Sequence, residues 1–221
     1  MLNGLALNLS MKKQIDSRKV FGQMPEYFQD YSSRVAEHAA LLYETAYELG
    51  LYSEDEDFNR ENIPYLQDSF RLYDIGWAVV PDCFLKPEEA LDASEFDVVK
   101  RHPLDGFHII CGGPEDVEPE GSNEEARARN LALDAAIGHH ERWDGRGYPF
   151  SLKGDGIPIA GRICAICDTY DRLVNGRFGS RPMPREFAFA QIIRNKRICF
   201  DPELVEVFRN IMERLDPLLV K

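Results

Sequence analysis

The chain has 221 residues, enough for one domain with a sizeable core. Its 44% hydrophobic and 29% charged content is that of a soluble globular protein, and no apolar run reaches the roughly 20 residues a membrane helix needs. With 38 acidic against 26 basic residues the formal charge is -12, which argues against DNA or RNA as partners, because phosphate neutralisation takes an excess of Lys and Arg; an anionic ligand would need a local basic or metal-bearing pocket.

In chain order, residues 1–30 read as an N-terminal arm with a short helical segment. The lysines of "MLNGLALNLSMKK" follow its apolar part and no cleavage site is evident, which argues against a secretory signal. From Ser33, "SRVAEHAALLYETAYELGL" places Val35, Ala39, Leu42 and Ala46 on one helical face and stops at Gly50. A solvated acidic loop follows. "YLQDSFRLYDIG" predicts a short helix ending near Gly76, with Leu66, Phe70 and Ile75 in the core. Ser94 with Asp97 reads as the capping pair of the next helix, which Pro103 kinks or divides. After the Pro/Gly/acid-rich loop "GGPEDVEPEGSN", Asn123 is the expected cap of a helix running to about His140. Three more helical runs complete an all-α chain; in the last, Leu204, Phe208, Ile211 and Leu215 have core-facing spacing.

Five scattered cysteines, an odd number, point to a reducing and therefore cytoplasmic setting. Cys164 and Cys167 form a CxxC inside the apolar run "IAGRICAICDTYDRL", with no second CxxC, and read as buried helical thiols.

The chemistry concentrates elsewhere. In "HHERWDGRGYP", adjacent His139 and His140 converge on one site most easily where a helix ends, and the glycine-rich stretch supplies that ending. Asp74, His102, Asp168 and Asp171 are polar residues in apolar helical contexts. A buried carboxylate is costly unless paired or coordinated, so groups on separate helices suggest a shared cation. Asp171 has the alternative of capping or pairing with an arginine, and Asp168 that of bridging Arg172 one turn later.

"RLYDIGWAVVPDCFLK", "KRHPLDG", "HHERWDGRGYPFSLKGDGIPIAGRI", "CDTYDRL" and "CFDPELVEVF" occur in an order that resembles the HD-GYP subfamily of the HD metal-dependent phosphohydrolases, over a domain of residues 31–212 followed by a tail, 213–221. The resemblance implies an all-helical HD bundle with extra C-terminal helices, and metal-dependent phosphodiesterase activity on cyclic di-GMP with two or three iron or manganese ions. It makes Asp74, His102, His139 and His140 the ligands of one ion, and Asp74 and Asp168 ligands of a second. Two histidines of that second set are replaced by Tyr31 and Tyr73, and the lysine of the motif by Trp77. Neutral imidazole is a good ligand for Fe, Mn, Ni or Zn, whereas a phenol of pKa about 10 is a poor one. The phenols are therefore expected to fill the vacated volume and hydrogen-bond Asp74 or Asp168, leaving one divalent ion or none.

The resemblance further makes Arg177 a phosphate contact, with Tyr148, Lys153 and Arg181 as further candidates, and Asp144, Gly145, Gly147, Tyr148 and Pro149 a loop beside the site or for a signalling partner. His38 lies about 10 Å along the helix from Tyr31, too far to replace a ligand. Glu26 is a candidate at the mouth, and His108 has no assigned role. Two functions stay open: a nucleotide sensor or protein-interaction module of cyclic di-GMP signalling with weak or absent turnover, centred on Asp74, and an active phosphohydrolase using one metal or an altered pair.

Overall fold

The computed structural model describes residues 15–84, 92–112, 122–177 and 180–215, with the side chains of 82 and 213–215 left aside. The first fourteen residues of the expected arm, most of the acidic loop after Cys111 and the tail beyond 215 lie outside the described residues. Within them the chain is helical and forms no strand.

Helix α1 (Ser17–Gln23) is capped by Asp16, whose carboxylate accepts from the Arg18 and Lys19 amides, and it buries Phe21. Helix α2 (Glu26–Glu48) begins seven residues before the expected Ser33, because Phe28, Tyr31 and Ser32 extend the buried stripe of Val35, Ala39, Leu42 and Ala46 by another two turns. Tyr31 is thus held by a full turn of helix on its N-terminal side. Gly50 ends α2 with φ +71°, a conformation that costs a residue without Cβ little.

Helix α3 (Leu66–Phe70) is shorter than its pattern implied. It unwinds before Asp74, and a 3-10 turn, Ile75–Val79, follows. Leu66, Phe70 and Ile75 are buried as expected. Helices α4 (Ala93–Val99) and α5 (His102–Cys111) are the two halves into which Pro103 divides one apolar pattern, with the proline at the second helical position, where its missing N–H is not needed.

Two caps differ from the expected ones. Asp92, not Ser94, caps α4, in a reciprocal box with Glu95. Ser122, not Asn123, caps α6 (Asn123–Gly138), in a box with Glu125. In both, a Glu three residues on closes the ring.

Helices α7 (Ile159–Asn175), α8 (Arg185–Arg194) and α9 (Pro202–Leu215) complete the bundle. Leu204, Phe208 and Ile211 are buried, and Leu215's side chain lies outside the described residues. Cys164 and Cys167 are free and buried in α7, and burial raises both thiols above their ordinary pKa.

Two apolar clusters form. One gathers α2, α3, α7, α8 and α9; the other gathers α1, the 75–79 turn, α4, α5 and part of α6. Tyr73 belongs to the first and Ile75 to the second, so Asp74 sits on the seam.

Glycines close the seam. A methyl on Gly76 would stand 1.8 Å from the His102 carbonyl oxygen, and one on Gly161 would stand 2.4 Å from Gly138 Cα. These contacts set the spacing of the 75–79 turn against α5 and of α6 against α7. Gly161→Ala is therefore expected to lower stability by about 1–3 kcal/mol, the usual cost of overpacking a rigid contact, read as a lower urea midpoint with an unchanged m-value.

Candidate metal centre

Four donor atoms meet on the seam. His102 is the first residue of α5, His139 is the C-cap of α6 and His140 follows it, so the end of α6 lets adjacent histidines turn the same way. His102 Nε2 lies 3.1 Å from Asp74 Oδ1, 3.3 Å from His139 Nε2 and 3.1 Å from His140 Nε2, and His139 Nε2 lies 3.5 Å from Asp74 Oδ1. Donors about 2.0–2.2 Å from one ion stand roughly 3.0–3.5 Å from one another. The cluster has that spacing.

Backbone carbonyls fix the tautomers. His102 Nδ1 donates to Val99 O at 2.6 Å, and His139 Nδ1 lies 2.8 Å from Ala136 O and 3.1 Å from Ala135 O. A carbonyl only accepts, so both Nδ1 atoms carry hydrogen and both Nε2 atoms turn bare lone pairs inward. Asp74 Oδ1 is buried with no hydrogen-bond donor. Lone pairs facing lone pairs in a buried site need a cation between them. The residues present therefore fit a divalent ion, whose donors would be Asp74, His102, His139 and His140.

The electrostatics agree. Burial lowers the pKa of His102, opposed by Asp74, and holds His140 well below its ordinary value, with His139 and His102 adding to the effect. Burial acts to raise the Asp74 carboxyl, but the neighbouring Arg177 guanidinium opposes it, and the carboxyl is held well below the carboxylate range. Neutral imidazoles thus face an ionised carboxylate.

The other half of the pocket is filled by this chain's own side chains. Arg177 is turned inward: its Nη1 lies 2.9 Å from Asp74 Oδ2 and 3.8 Å from Asp168 Oδ1. Its guanidinium lies 3.8 Å from the centre of the Tyr31 ring, with Phe28 at 4.9 Å and Trp77 at 5.5 Å. The hydroxyls of Tyr31 and Tyr73 are 2.5 Å apart, and that of Tyr73 is 2.7 Å from Asp168 Oδ1. Since the carboxylate can only accept, Tyr73 donates to Asp168 and Tyr31 donates to Tyr73. Trp77 stacks on the His102 ring at 5.1 Å, and the Tyr73 ring stands edge-on to His139 at 5.0 Å.

Several other residues fall away from the cluster. Asp171 pairs with Arg34 through two bonds, at 2.9 and 3.1 Å, the neighbouring-arginine alternative. Asp168 bonds Tyr73 instead of bridging Arg172. His38 packs against Tyr170, while Glu26, His108, Lys153 and Arg181 are exposed; the Lys153 stem lies over Gly145.

The loop after His140 folds back on it. Tyr148 stacks on the His140 ring at 4.6 Å and donates its amide to His140 O. Asp144 is held by Arg142 at 2.8 and 3.0 Å, and Gly145 turns the chain with φ +80°. Glu141, to which sequence reasoning gave no role, accepts from the amides of Phe150 and Leu152 at 2.7 and 3.0 Å, so the carboxylate of "HHE" anchors the loop that ends in Pro149. Outside His140 opens a cavity of about 590 Å³ walled by Tyr148 and by Lys100, Arg142, Arg146 and Arg172. These four cations come from α4, the loop and α7, which is why no basic run in the sequence announced them.

Residues 22–204 match the family model described as an HD domain. Over 75% of its length the chain is 32% identical to a cyclic di-GMP phosphodiesterase of Thermotoga maritima, and over 62% it is 38% identical to a probable cyclic di-GMP phosphodiesterase of Vibrio cholerae. It spans 42% and 30% of those two relatives. Among solved structures it shares the fold of an HDG"Y"P protein from Bdellovibrio bacteriovorus, with a TM-score of 0.57 at 15% identity over 84% of this chain and 52% of that one. The helical bundle, the histidine cluster at its seam and the matching model agree: the chain belongs to the HD-domain family, in its HD-GYP branch.

Proposed function

We propose that this chain is an HD-GYP module of cyclic di-GMP signalling that holds one divalent ion, turns the nucleotide over weakly or not at all, and acts as a nucleotide sensor. One observation carries the reading: three imidazole nitrogens and an unpartnered carboxylate oxygen converge on one point, with His139 and His140 also lining a basic cavity, while Arg177, Tyr31 and Tyr73 fill the neighbouring space.

Asp74, His102, His139 and His140 would hold a divalent ion, which when bound would supply Lewis-acid charge beside the cavity. Nitrogen and carboxylate donors suit Fe, Mn, Ni or Zn. The chain's own residues provide anion binding: Arg146 and Arg172 face the cavity, and Arg172 makes no ion pair among the described residues. A phosphate there would be held beside His140. The clamp on both attacking and leaving oxygens that a pair of ions provides is missing, and Trp77 brings no charge. Each omitted electrostatic element costs on the order of 10²- to 10³-fold in rate, so binding outlasts turnover. The 144–149 loop is the route to a signalling partner: it stacks on His140 through Tyr148, and the next residue, Phe150, is exposed to solvent.

Protein prepared without chelator and saturated with Mn(II) is expected to retain one ion per chain by mass spectrometry. His102→Ala and Asp74→Asn should each weaken that binding by at least about 10- to 100-fold, since even the outer partners of ligating histidines are worth that much.

Cyclic di-GMP is expected to bind saturably by calorimetry and to be recovered unhydrolysed. Steady turnover by one-ion protein would make the chain a one-metal phosphodiesterase; neither binding nor turnover would end the nucleotide reading.

The metal-free protein should also lose stability as pH falls. His102 and His140 have lowered folded-state values, so their contribution is complete above the unfolded value near 6.5 and is lost below it, by up to about 1.4 kcal/mol per pH unit for each group. Asp168, raised by burial, contributes with the opposite sign. A urea midpoint lower at pH 5.5 than at 7.5 is expected, with His140→Gln flattening the difference.

A further inference from the structure

We propose that Arg177 is a tethered cation that occupies the seat of a second metal ion and limits this pocket to one. The inference rests on the one-ion reading above and assigns the residue that enforces it.

Asp74 divides its oxygens. Oδ1 faces the imidazoles, and Oδ2 receives Arg177 Nη1 at 2.9 Å. The same nitrogen lies 3.8 Å from Asp168 Oδ1, so one positive group stands between two buried carboxylates, the position a bridging cation would take. A nitrogen at that distance covers the lone pairs of Oδ2 that an ion would need at about 2.0–2.2 Å.

The seat is built for a flat cation. Tyr31 lies under the guanidinium at 3.8 Å, and Phe28 and Trp77 flank it. Aromatic faces attract a guanidinium and suit its planar shape better than they suit a small, strongly hydrated ion. The phenol oxygens are engaged with each other and with Asp168.

Delivery is also fixed. Helix α7 ends at Asn175, and Gly176 reverses the chain with φ +71°, where a methyl would stand 2.6 Å from Ser180 O. The Arg177 amide donates to Ser180 Oγ at 3.0 Å, and that hydroxyl donates back to Arg177 O at 2.6 Å. The turn therefore aims the side chain from the end of α7 into the pocket.

The test counts ions rather than activity. Wild type, Tyr31→His/Tyr73→His, and that pair combined with Arg177→Ala are saturated with Mn(II), freed of excess metal, and analysed by mass spectrometry and Mn(II) electron paramagnetic resonance. Restoring imidazoles alone should leave one ion per chain, because the guanidinium still holds Asp74 Oδ2. Removing Arg177 as well should bring the count to two, with the spectrum of a coupled pair. A second ion in the histidine pair with Arg177 present overturns the proposal, and so does a triple variant that gains none. The increment from double to triple variant reads Arg177, whereas the wild-type count reads the one-ion site, so the two can fail separately. Should the alanine variant not unfold cooperatively, Arg177→Gln on the same background keeps much of the side-chain volume, removes the charge, and is held to the same increment.

Discussion

The Asp74 carboxylate, buried with one oxygen toward three imidazoles and the other toward a guanidinium, is the constraint around which the rest of the pocket is arranged. A buried carboxylate without compensation would take up a proton. Arg177, with Nη1 2.9 Å from Oδ2, keeps it ionised. The ionised state leaves Oδ1 as an acceptor with no donor, so the imidazole side offers the donor set that a divalent ion would use.

That carboxylate can be so placed because the backbone at its neighbours has no side chains in the way. Asp74 is the cap of the 75–79 turn, two residues before Gly76, which lies against the His102 carbonyl. His139 follows Gly138, which lies against Gly161 of α7, the helix that carries Asp168. Two close backbone approaches thus bring the ends of three helices to one point, and the two apolar clusters on either side hold them there. The four convergent donors come from the ends of elements, where the chain changes direction, whereas Tyr31 and Asp168, on the other side of the pocket, come from helix interiors.

Much of this was legible in the sequence. Apolar periodicity located the helices, and Pro103 divided the fourth from the fifth, because both signals are local. The polar residues in apolar contexts, Asp74, His102 and Asp168, stood out for the same reason, and the spacing of the matched segments named the family. Other features were not legible because they depend on distant partners. The resemblance singled out Arg177 as a phosphate contact, but not that its side chain turns inward onto Asp74. Arg142, Arg146 and Arg172 form a basic wall only when the loop and α7 are laid side by side, and in a chain of charge -12 they leave no trace in composition. The caps at Asp92 and Ser122 were missed by one or two residues because several Ser, Asp and Asn candidates are adjacent, and only the reciprocal glutamate bond chooses among them.

The departures at positions 31, 73 and 77 make physical sense together and little sense apart. Tyr31 beside an empty seat would be a phenol facing two carboxylates; with Arg177 above it, its ring carries a cation and its hydroxyl joins a chain that ends on Asp168. Tyr73 neutralises no charge, but its hydrogen bond compensates the carboxylate oxygen that lies farther from the guanidinium, at 3.8 Å. A lysine in place of Trp77 would set a second positive charge beside Arg177, whereas the indole flanks the guanidinium and packs the His102 ring. One tethered charge and three aromatic rings therefore form a single interlocked unit, in which changing any member alone leaves either a charge without its counter-charge or a ring without its contact.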